Sequence, residues 1–181
     1  MRCFIAIEFD ENTRNTLASI QNELKNQGVQ GNYTRIENLH LTLKFLGEID
    51  MPTYLDICNL MKKVSRNHEL FVLELGKLGK FDKGNKKIVW TGLLGNKHLM
   101  SLFRDIESGL EDIIPIKKES RYIPHITLIR EAVLNSNDIS GIEKHHKLGY
   151  SFKAPGISLM ESTRVNGRLT YVRRAYENFI A

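Results

Sequence analysis

The sequence has only two cysteines, Cys3 and Cys58. Two thiols this far apart form neither a disulfide framework nor a metal-type spacing, and they read as reduced, apolar-like residues of a cytoplasmic protein. Long apolar runs are also missing, which excludes a membrane-spanning helix. Arg2 is followed by no long apolar segment, so no signal peptide is expected. There is no low-complexity tract, no flexible linker and no coiled-coil stripe. The expectation is therefore a monomer whose residues 1–181 form one compact domain or two tightly joined lobes, without a membrane partner. At 41% apolar residues the chain can bury a core, and its net charge of +5 favours a polyanionic partner such as nucleic acid.

One tetrapeptide pattern occurs twice, as His40-Leu41-Thr42-Leu43 and His125-Ile126-Thr127-Leu128. Each copy alternates polar and apolar residues, the period of a half-buried β-strand. His and Thr then share one face, and Leu or Ile the other. The surroundings repeat as well. Phe4 stands as far before His40 as Val89 stands before His125, with a helical pattern in between each time. A strand–helix–strand unit is duplicated.

The remaining elements follow from periodicity and turn chemistry. A strand from Arg2 to Phe9 leads to Asp10 as N-cap, a helix carrying Leu17, Ile20 and Leu24, and a stop at Gly28. Residues 31–39 read as loop or irregular strand. Pro52 opens a second helix with Ile57, Leu60, Met61 and Val64 inward. Strands at 71–75 and 87–93 flank a turn at 82–85. A third helix buries Leu99, Leu102, Phe103, Ile106 and Leu110. The second motif strand spans 122–128, with Pro124 suited to its start. Residues 131–147 read as a polar surface loop with a short helix anchored by Ile139 and Ile142. Strands at 156–161 and 169–176 close the chain around Asn166-Gly167. The class is α+β, with mostly antiparallel sheets and two helices accompanying each.

Two His–Thr pairs brought face to face can hold a phosphate between them. A metal site wants a third His, Cys or carboxylate nearby, and neither motif has one, so no metal or other cofactor is expected. Imidazole, with an unperturbed pKa of ~6.5, takes and gives protons near neutrality. In-line cleavage of a phosphodiester needs a base and an acid on opposite sides of phosphorus, and two histidines from two lobes supply them. Each Thr hydroxyl can donate to a non-bridging oxygen.

Three stretches carry a family resemblance: Arg2-Cys3-Phe4-Ile5-Ala6-Ile7, Glu37-Asn38-Leu39-His40-Leu41-Thr42-Leu43-Lys44-Phe45-Leu46-Gly47, and Pro124-His125-Ile126-Thr127-Leu128-Ile129-Arg130. Gly79-Lys80-Phe81, Val89-Trp90-Thr91-Gly92 and Glu161-Ser162 add to it. In order, and along nearly the whole chain, the sequence resembles the two-histidine phosphoesterase superfamily, and within it the RNA 2′,3′-cyclic phosphodiesterases, also called 2′–5′ RNA ligases. The resemblance implies a bilobal, pseudo-twofold α+β fold with a central cleft. It implies hydrolysis of an RNA-terminal 2′,3′-cyclic phosphate to a 2′-phosphate, and joining of RNA ends through a 2′–5′ bond in reverse. His40 is then the proton donor and His125 the proton acceptor, assisted by Thr42 and Thr127. Phe45 and Arg130 match substrate-binding positions, for base stacking and phosphate contact, although in an unbroken strand both would lie on the face opposite the histidines. The family often has Pro where Ile36 stands, Trp near Tyr33 and Arg where Lys87 stands, which bears on substrate preference. The rival readings are a phosphodiesterase for another cyclic nucleotide and a noncatalytic RNA- or nucleotide-binding module. His68, His98, His145 and His146 read as surface or packing residues.

Overall fold

The structure, a computed structural model, describes residues 1–115, 117–119, 121–134 and 149–181. The expected short helix with Ile139 and Ile142, and the pair His145 and His146, lie outside the described residues. Strand β1 (Arg2–Glu8) runs into helix α1 (Glu11–Asn26). Asp10 caps that helix by accepting from the Thr13 N–H at 2.8 Å, and Leu17, Ile20 and Leu24 form its buried face. Past its C-cap, Gly28 takes a φ of 83°, a left-handed turn that glycine adopts without a Cβ penalty. The segment read as loop or irregular strand contains a short strand, β2 (Gln30–Tyr33), and a 3₁₀ turn (Ile36–Asn38). Then come β3 (His40–Glu48), α2 (Met51–Ser65), β4 (Phe71–Lys83), β5 (Lys86–Leu93) and α3 (Lys97–Leu110). The chain closes with β6 (His125–Val133), β7 (Ser151–Ala154), β8 (Gly156–Val165) and β9 (Arg168–Asn178). The second motif strand thus starts at its histidine, directly after Pro124, and runs on into residues expected to be loop.

Two antiparallel sheets form, in the orders β3-β1-β8-β9 and β2-β6-β5-β4-β7. Each holds one motif strand beside the strand that precedes its helix. The helices cross between them. α1, which leaves β1 of the first sheet, packs on β6 of the second, and α3, which leaves β5 of the second, packs on β3 of the first. α2 joins α3 over β8 and β9. Three helices, one over one sheet and two over the other, therefore replace the expected two per sheet among the described residues. The pairing also corrects the repeat by one residue. Ala6 lies opposite Thr42, and Trp90 opposite Thr127, so Phe4 and Val89 are not equivalents. Phe4 packs on the cleft side with Ala6 and Met160, whereas Val89 belongs to the main core.

Both motif strands break register at the same place. Ile5 pairs with Lys44 and Ala6 with Thr42, leaving Leu43 as an extra residue. Val89 pairs with Ile129 and Trp90 with Thr127, leaving Leu128 extra. An inserted residue reverses the alternation beyond it. Leu43 and Lys44 are both buried, as are Leu128 and Ile129, and the next residues, Phe45 and Arg130, emerge on the histidine face. Each strand slips again just beyond, next to Gly47 (φ 75°) and at Glu131, whose φ of 50° is left-handed.

Polar groups buried at these bulges hold the strands. On β6, the Leu128 carbonyl accepts from the Thr34 N–H at 2.9 Å and from the Gln21 side-chain amide of α1 at 2.9 Å. On β3, Lys44 is 3% exposed and its ammonium donates to Glu107 of α3 at 2.6 Å and to Glu119 at 3.2 Å. The same Glu107 oxygen accepts the Glu119 N–H at 2.8 Å, and the Tyr122 hydroxyl donates to the Thr42 carbonyl at 2.8 Å. These contacts tie the approach to His125 onto the strand of His40. Burial pushes the Glu107 carboxyl up, but Lys44 and the Glu119 N–H hold it below its ordinary 4.5. Its stabilisation is therefore present at neutral pH and is lost as pH falls below that value. Lys44→Ala strands a buried carboxylate and is expected to cost about 3–5 kcal/mol in urea unfolding at pH 7. The double variant Lys44→Met/Glu107→Leu, which removes both charges, is expected to recover most of that loss. A Lys44→Ala cost below about 1 kcal/mol would show that the pair does not brace the strands.

Candidate active site

Each histidine is fixed by its own backbone. The His40 Nδ1–H donates to the Asn38 carbonyl at 2.7 Å, and the His125 Nδ1–H donates to the Ile123 carbonyl at 2.7 Å. With Nδ1 carrying the proton, Nε2 is the free basic nitrogen in each neutral ring. On His40 this atom meets the Thr42 hydroxyl at 2.9 Å. Asn38 does more than accept from His40. Its side chain donates to the Leu169 carbonyl at 3.0 Å and accepts the Tyr171 N–H at 3.3 Å, joining β9 to the start of β3.

Aromatic rings wall both imidazoles. Phe4 and Tyr171 stand 4.8 and 5.1 Å from the His40 ring, and Phe81 and Trp90 stand 4.9 and 5.9 Å from the His125 ring. Tyr171 and Phe81 both approach edge-on. Gly79 belongs to this wall by absence, since the Trp90 ring lies where a Cβ on Gly79 would project. The short motifs around Gly79 and Trp90 thus build the housing of His125.

Burial is what shifts the imidazoles. It drives His40 down to about 4 and His125 below its ordinary 6.5. The hydrogen bonds to Asn38 and Ile123 act against this, as do Glu8 beside His40 and Glu119 beside His125, while Arg130 lowers both. Glu8 lies opposite His40 in the β1–β3 register and is itself held by Arg173 at 2.6 Å and by Ser158.

His40, Thr42, His125, Thr127 and Arg130 meet in one narrow pocket, closed by Thr34 and Tyr171. This pocket opens into a cleft of about 470 Å³ that adds Arg2, Phe4, Phe45 and Ser162. All six residues singled out from the sequence therefore line connected space. Phe45 and Arg130 are there because of the bulges; the expectation for an unbroken strand, with both on the opposite face, is corrected. The Phe45 ring is 47% exposed, with the Arg2 guanidinium 5.1 Å from its centroid. Residues that sequence reasoning did not single out are Tyr171, Thr34 and Arg2. Arg2 and Phe4 sit in a stretch that carried the resemblance, but nothing local in β9 marks Tyr171, which reaches the cleft through the β8–β9 pairing and its contact with Asn38.

His68 and His98 have packing roles. His68 is buried against Asp105 at 2.8 Å, and His98 stacks on Phe71. Cys3 and Cys58 are free thiols, and burial pushes Cys3 up to about 11, which leaves it inert. Among the described residues no helix is long and apolar enough to cross a membrane.

Comparison with known proteins gives the family and the fold. Residues 7–90 match the model of the LigT-like phosphoesterases. An RNA 2′,3′-cyclic phosphodiesterase of Methanocaldococcus jannaschii is 32% identical over 167 residues, covering 90% of this chain and 92% of the relative. One from Thermotoga maritima is 30% identical over 131 residues, covering 72% and 70%. The crystal structure of Escherichia coli LigT complexed with 3′-AMP superposes with a TM-score of 0.80 at 22% identity, over 98% of this chain and 97% of that one. A crystal structure of a Thermus thermophilus protein does so with a TM-score of 0.81 at 21% identity, over 99% and 98%. The structural matches establish the fold, and with the sequence match along nearly the whole of the M. jannaschii relative, the chain belongs to the RNA 2′,3′-cyclic phosphodiesterase family of LigT-like phosphoesterases.

Proposed function

We propose that the protein hydrolyses an RNA-terminal 2′,3′-cyclic phosphate to a 2′-phosphate, working as one bilobal unit over residues 1–181. The observation that carries this reading is the matched pair of imidazoles on one pocket, each with Nδ1–H fixed on a carbonyl two residues earlier. The names of the relatives support the same substrate. In this reading the cyclic phosphate sits between the motifs, with its non-bridging oxygens facing Thr42, Thr127 and Arg130. His125 Nε2 takes a proton from water as the water oxygen attacks phosphorus. The bond from phosphorus to the ribose 3′ oxygen breaks in line, and His40 gives that oxygen its proton. Glu8 beside His40 favours the imidazolium that the donor must be. The same sequence, with a ribose 5′-hydroxyl as nucleophile in place of water, forms a 2′–5′ bond. Phe45 is placed to stack on the terminal base.

The chemistry asks for no metal. The polar side chains that share the pocket with the imidazoles are the hydroxyls of Thr34, Thr42, Thr127 and Tyr171 and the Arg130 guanidinium, which are poor metal ligands, and no group of three His, Cys, Asp or Glu suited to a metal occurs among the described residues. Turnover is therefore expected to persist in excess EDTA. Loss of activity in EDTA and its return with a divalent ion would overturn the mechanism.

His40→Ala and His125→Ala are each expected to lower turnover by about 10²–10⁴-fold. The double variant should lose far less than the product of the two, because both groups serve one displacement. Thr42→Ala and Thr127→Ala should cost about 10–10³-fold. The assay is steady-state hydrolysis of RNA ending in 2′,3′-cyclic phosphate, with circular dichroism to confirm folding. A folded histidine variant with near wild-type rate would remove that residue from the mechanism.

The pH dependence follows from the direction of the shifts. Both free-enzyme imidazoles lie below 6.5, so the kcat/KM profile should fall on both sides of an optimum on the acid side of that value. The kcat profile should lie higher, because a bound phosphate anion favours imidazolium. Arg130→Gln removes a cation that lowers both rings, so both limbs should move upward. A kcat/KM optimum above about pH 7.5 in the wild type would contradict the assignment.

A further inference from the structure

The cleft continues past the histidine pocket in a direction the hydrolysis itself does not use. Beyond Arg130 and Tyr171 lies a depression of about 150 Å³ walled by Tyr33, Arg35 and Leu169. Arg35 is shared with a wide trough of about 520 Å³ over the tip of the β8–β9 hairpin, where Asn166, Arg168 and Thr170 line the surface. The two arms of the cleft thus differ in chemistry. One offers the open face of Phe45, with Arg2 laid over it. The other carries the Tyr33 ring beside Arg35 and then Arg168, an aromatic surface and two cations of the kind that track a single-stranded backbone.

An RNA end carrying a cyclic phosphate leaves the reacting centre through one ribose. That ribose bears the terminal base at C1′ and the rest of the strand at C5′. Two arms meet two branches. The base needs a flat apolar surface, and the strand needs cations at successive phosphates. We infer that the strand upstream of the cyclic phosphate runs from the histidine pocket past Tyr33 and Arg35 to Arg168, while the terminal base lies against Phe45. This path rests on the proposed phosphodiesterase reading.

Arg35 is held for such a role. One of its nitrogens donates to the Leu169 carbonyl at 3.3 Å, and another pairs with Glu37, which offsets part of its charge. Arg168 is exposed at the hairpin and completes the cationic pair, whereas Arg164 is turned back onto the Gly167 carbonyl at 2.8 Å. Asn38 fastens this hairpin to the turn before β3 and also accepts the His40 Nδ1–H, so strand and reacting centre share one anchor.

The test compares a nucleoside 2′,3′-cyclic monophosphate with an oligoribonucleotide of about ten residues ending in the same group. Wild-type kcat/KM is expected to be about 10–100-fold higher for the oligonucleotide, from two charge-assisted phosphate contacts. Arg35→Gln/Arg168→Gln should abolish most of that advantage and leave the mononucleotide rate within about twofold. Binding of a fluorescein-labelled decamer ending in 2′-phosphate, read by anisotropy, gives a measure independent of turnover. Its salt slope should fall by about 1.4 in the double variant, the share of two single-strand phosphates. Arg168→Gln alone, which breaks no hydrogen bond to the fold, should give about half the effect. Equal kcat/KM for the two substrates in the wild type, or equal loss on both in the variants, would overturn the path. Decamer binding with the expected salt response but no turnover of either substrate would leave the path standing and overturn the phosphodiesterase reading instead.

Discussion

The site depends on a register break repeated in two strands. In a regular strand, alternate side chains share a face, and a His-x-Thr motif can present only those two groups and every second residue after them. The sequence after each Thr offers large apolar residues, Leu43 and Leu128, that must go into the core. The extra residue at each of those positions lets two consecutive side chains turn inward, so that the following one returns to the cleft. Phe45 and Arg130 are delivered in this way. The bulges interrupt the ladder, and the backbone groups they release have to be met elsewhere. Gln21 of α1 does this on β6. On β3 the inward side chain is a lysine, and the buried carboxylate of Glu107 on α3 answers it. The helices cross from sheet to sheet to do so, which makes each motif strand dependent on the other half of the chain.

Burial among four aromatic rings disfavours protonation of the two imidazoles, and Arg130 adds to that. The fold compensates by directing Nδ1–H of each ring at a carbonyl, which fixes the tautomer and lends some support to the cation. For the proposed reaction this is a useful compromise. An imidazole that is neutral in the empty site serves as base without delay, and the anionic substrate supplies the field that lets its partner hold a proton. The two sides are not equivalent in this respect. Glu8 lies across the strand pair from His40 and is anchored by Arg173 and Ser158, whereas the carboxylate acting on His125 is Glu119, already engaged with Lys44.

The sequence made the repeat, the strand character of both motifs, the helix caps at Asp10 and Gly28, and the α+β class legible, because each rests on local chemistry or on periodicity. It also carried the six cleft residues. What it did not carry is the reason that Phe45 and Arg130 belong with the histidines. A bulge has no strong residue signature, and the Lys44–Glu107 and Gln21–Leu128 contacts that stabilise it join residues far apart in the chain. The equal spacing of Phe4 and Val89 was off by one register position for a similar reason, since pairing, not chain distance, decides equivalence. The short strand β2 was legible only as loop or irregular strand, because its residues, Gln30 to Tyr33, are mostly polar and it covers the edge of β6. Tyr171 was invisible because its place is set by a partner strand.

A duplicated motif yields a symmetric pocket, yet an RNA strand has direction, and something outside the repeat has to read it. β2 supplies one source of asymmetry. It comes from the first half of the chain but pairs with β6 of the second sheet, placing Tyr33 and Arg35 on one side of the pocket only. The β8–β9 hairpin supplies the other, extending past the sheet and bringing Tyr171 against His40, where its counterpart at His125 is Phe81 without a hydroxyl. The hairpin is fastened through Asn38 and Arg35 to the turn that precedes His40. The symmetric core alone gives an RNA end no direction, and in the proposed reaction it is these added edges, with Tyr33, Arg35 and Arg168 on one side of the pocket, that set which sense the strand adopts.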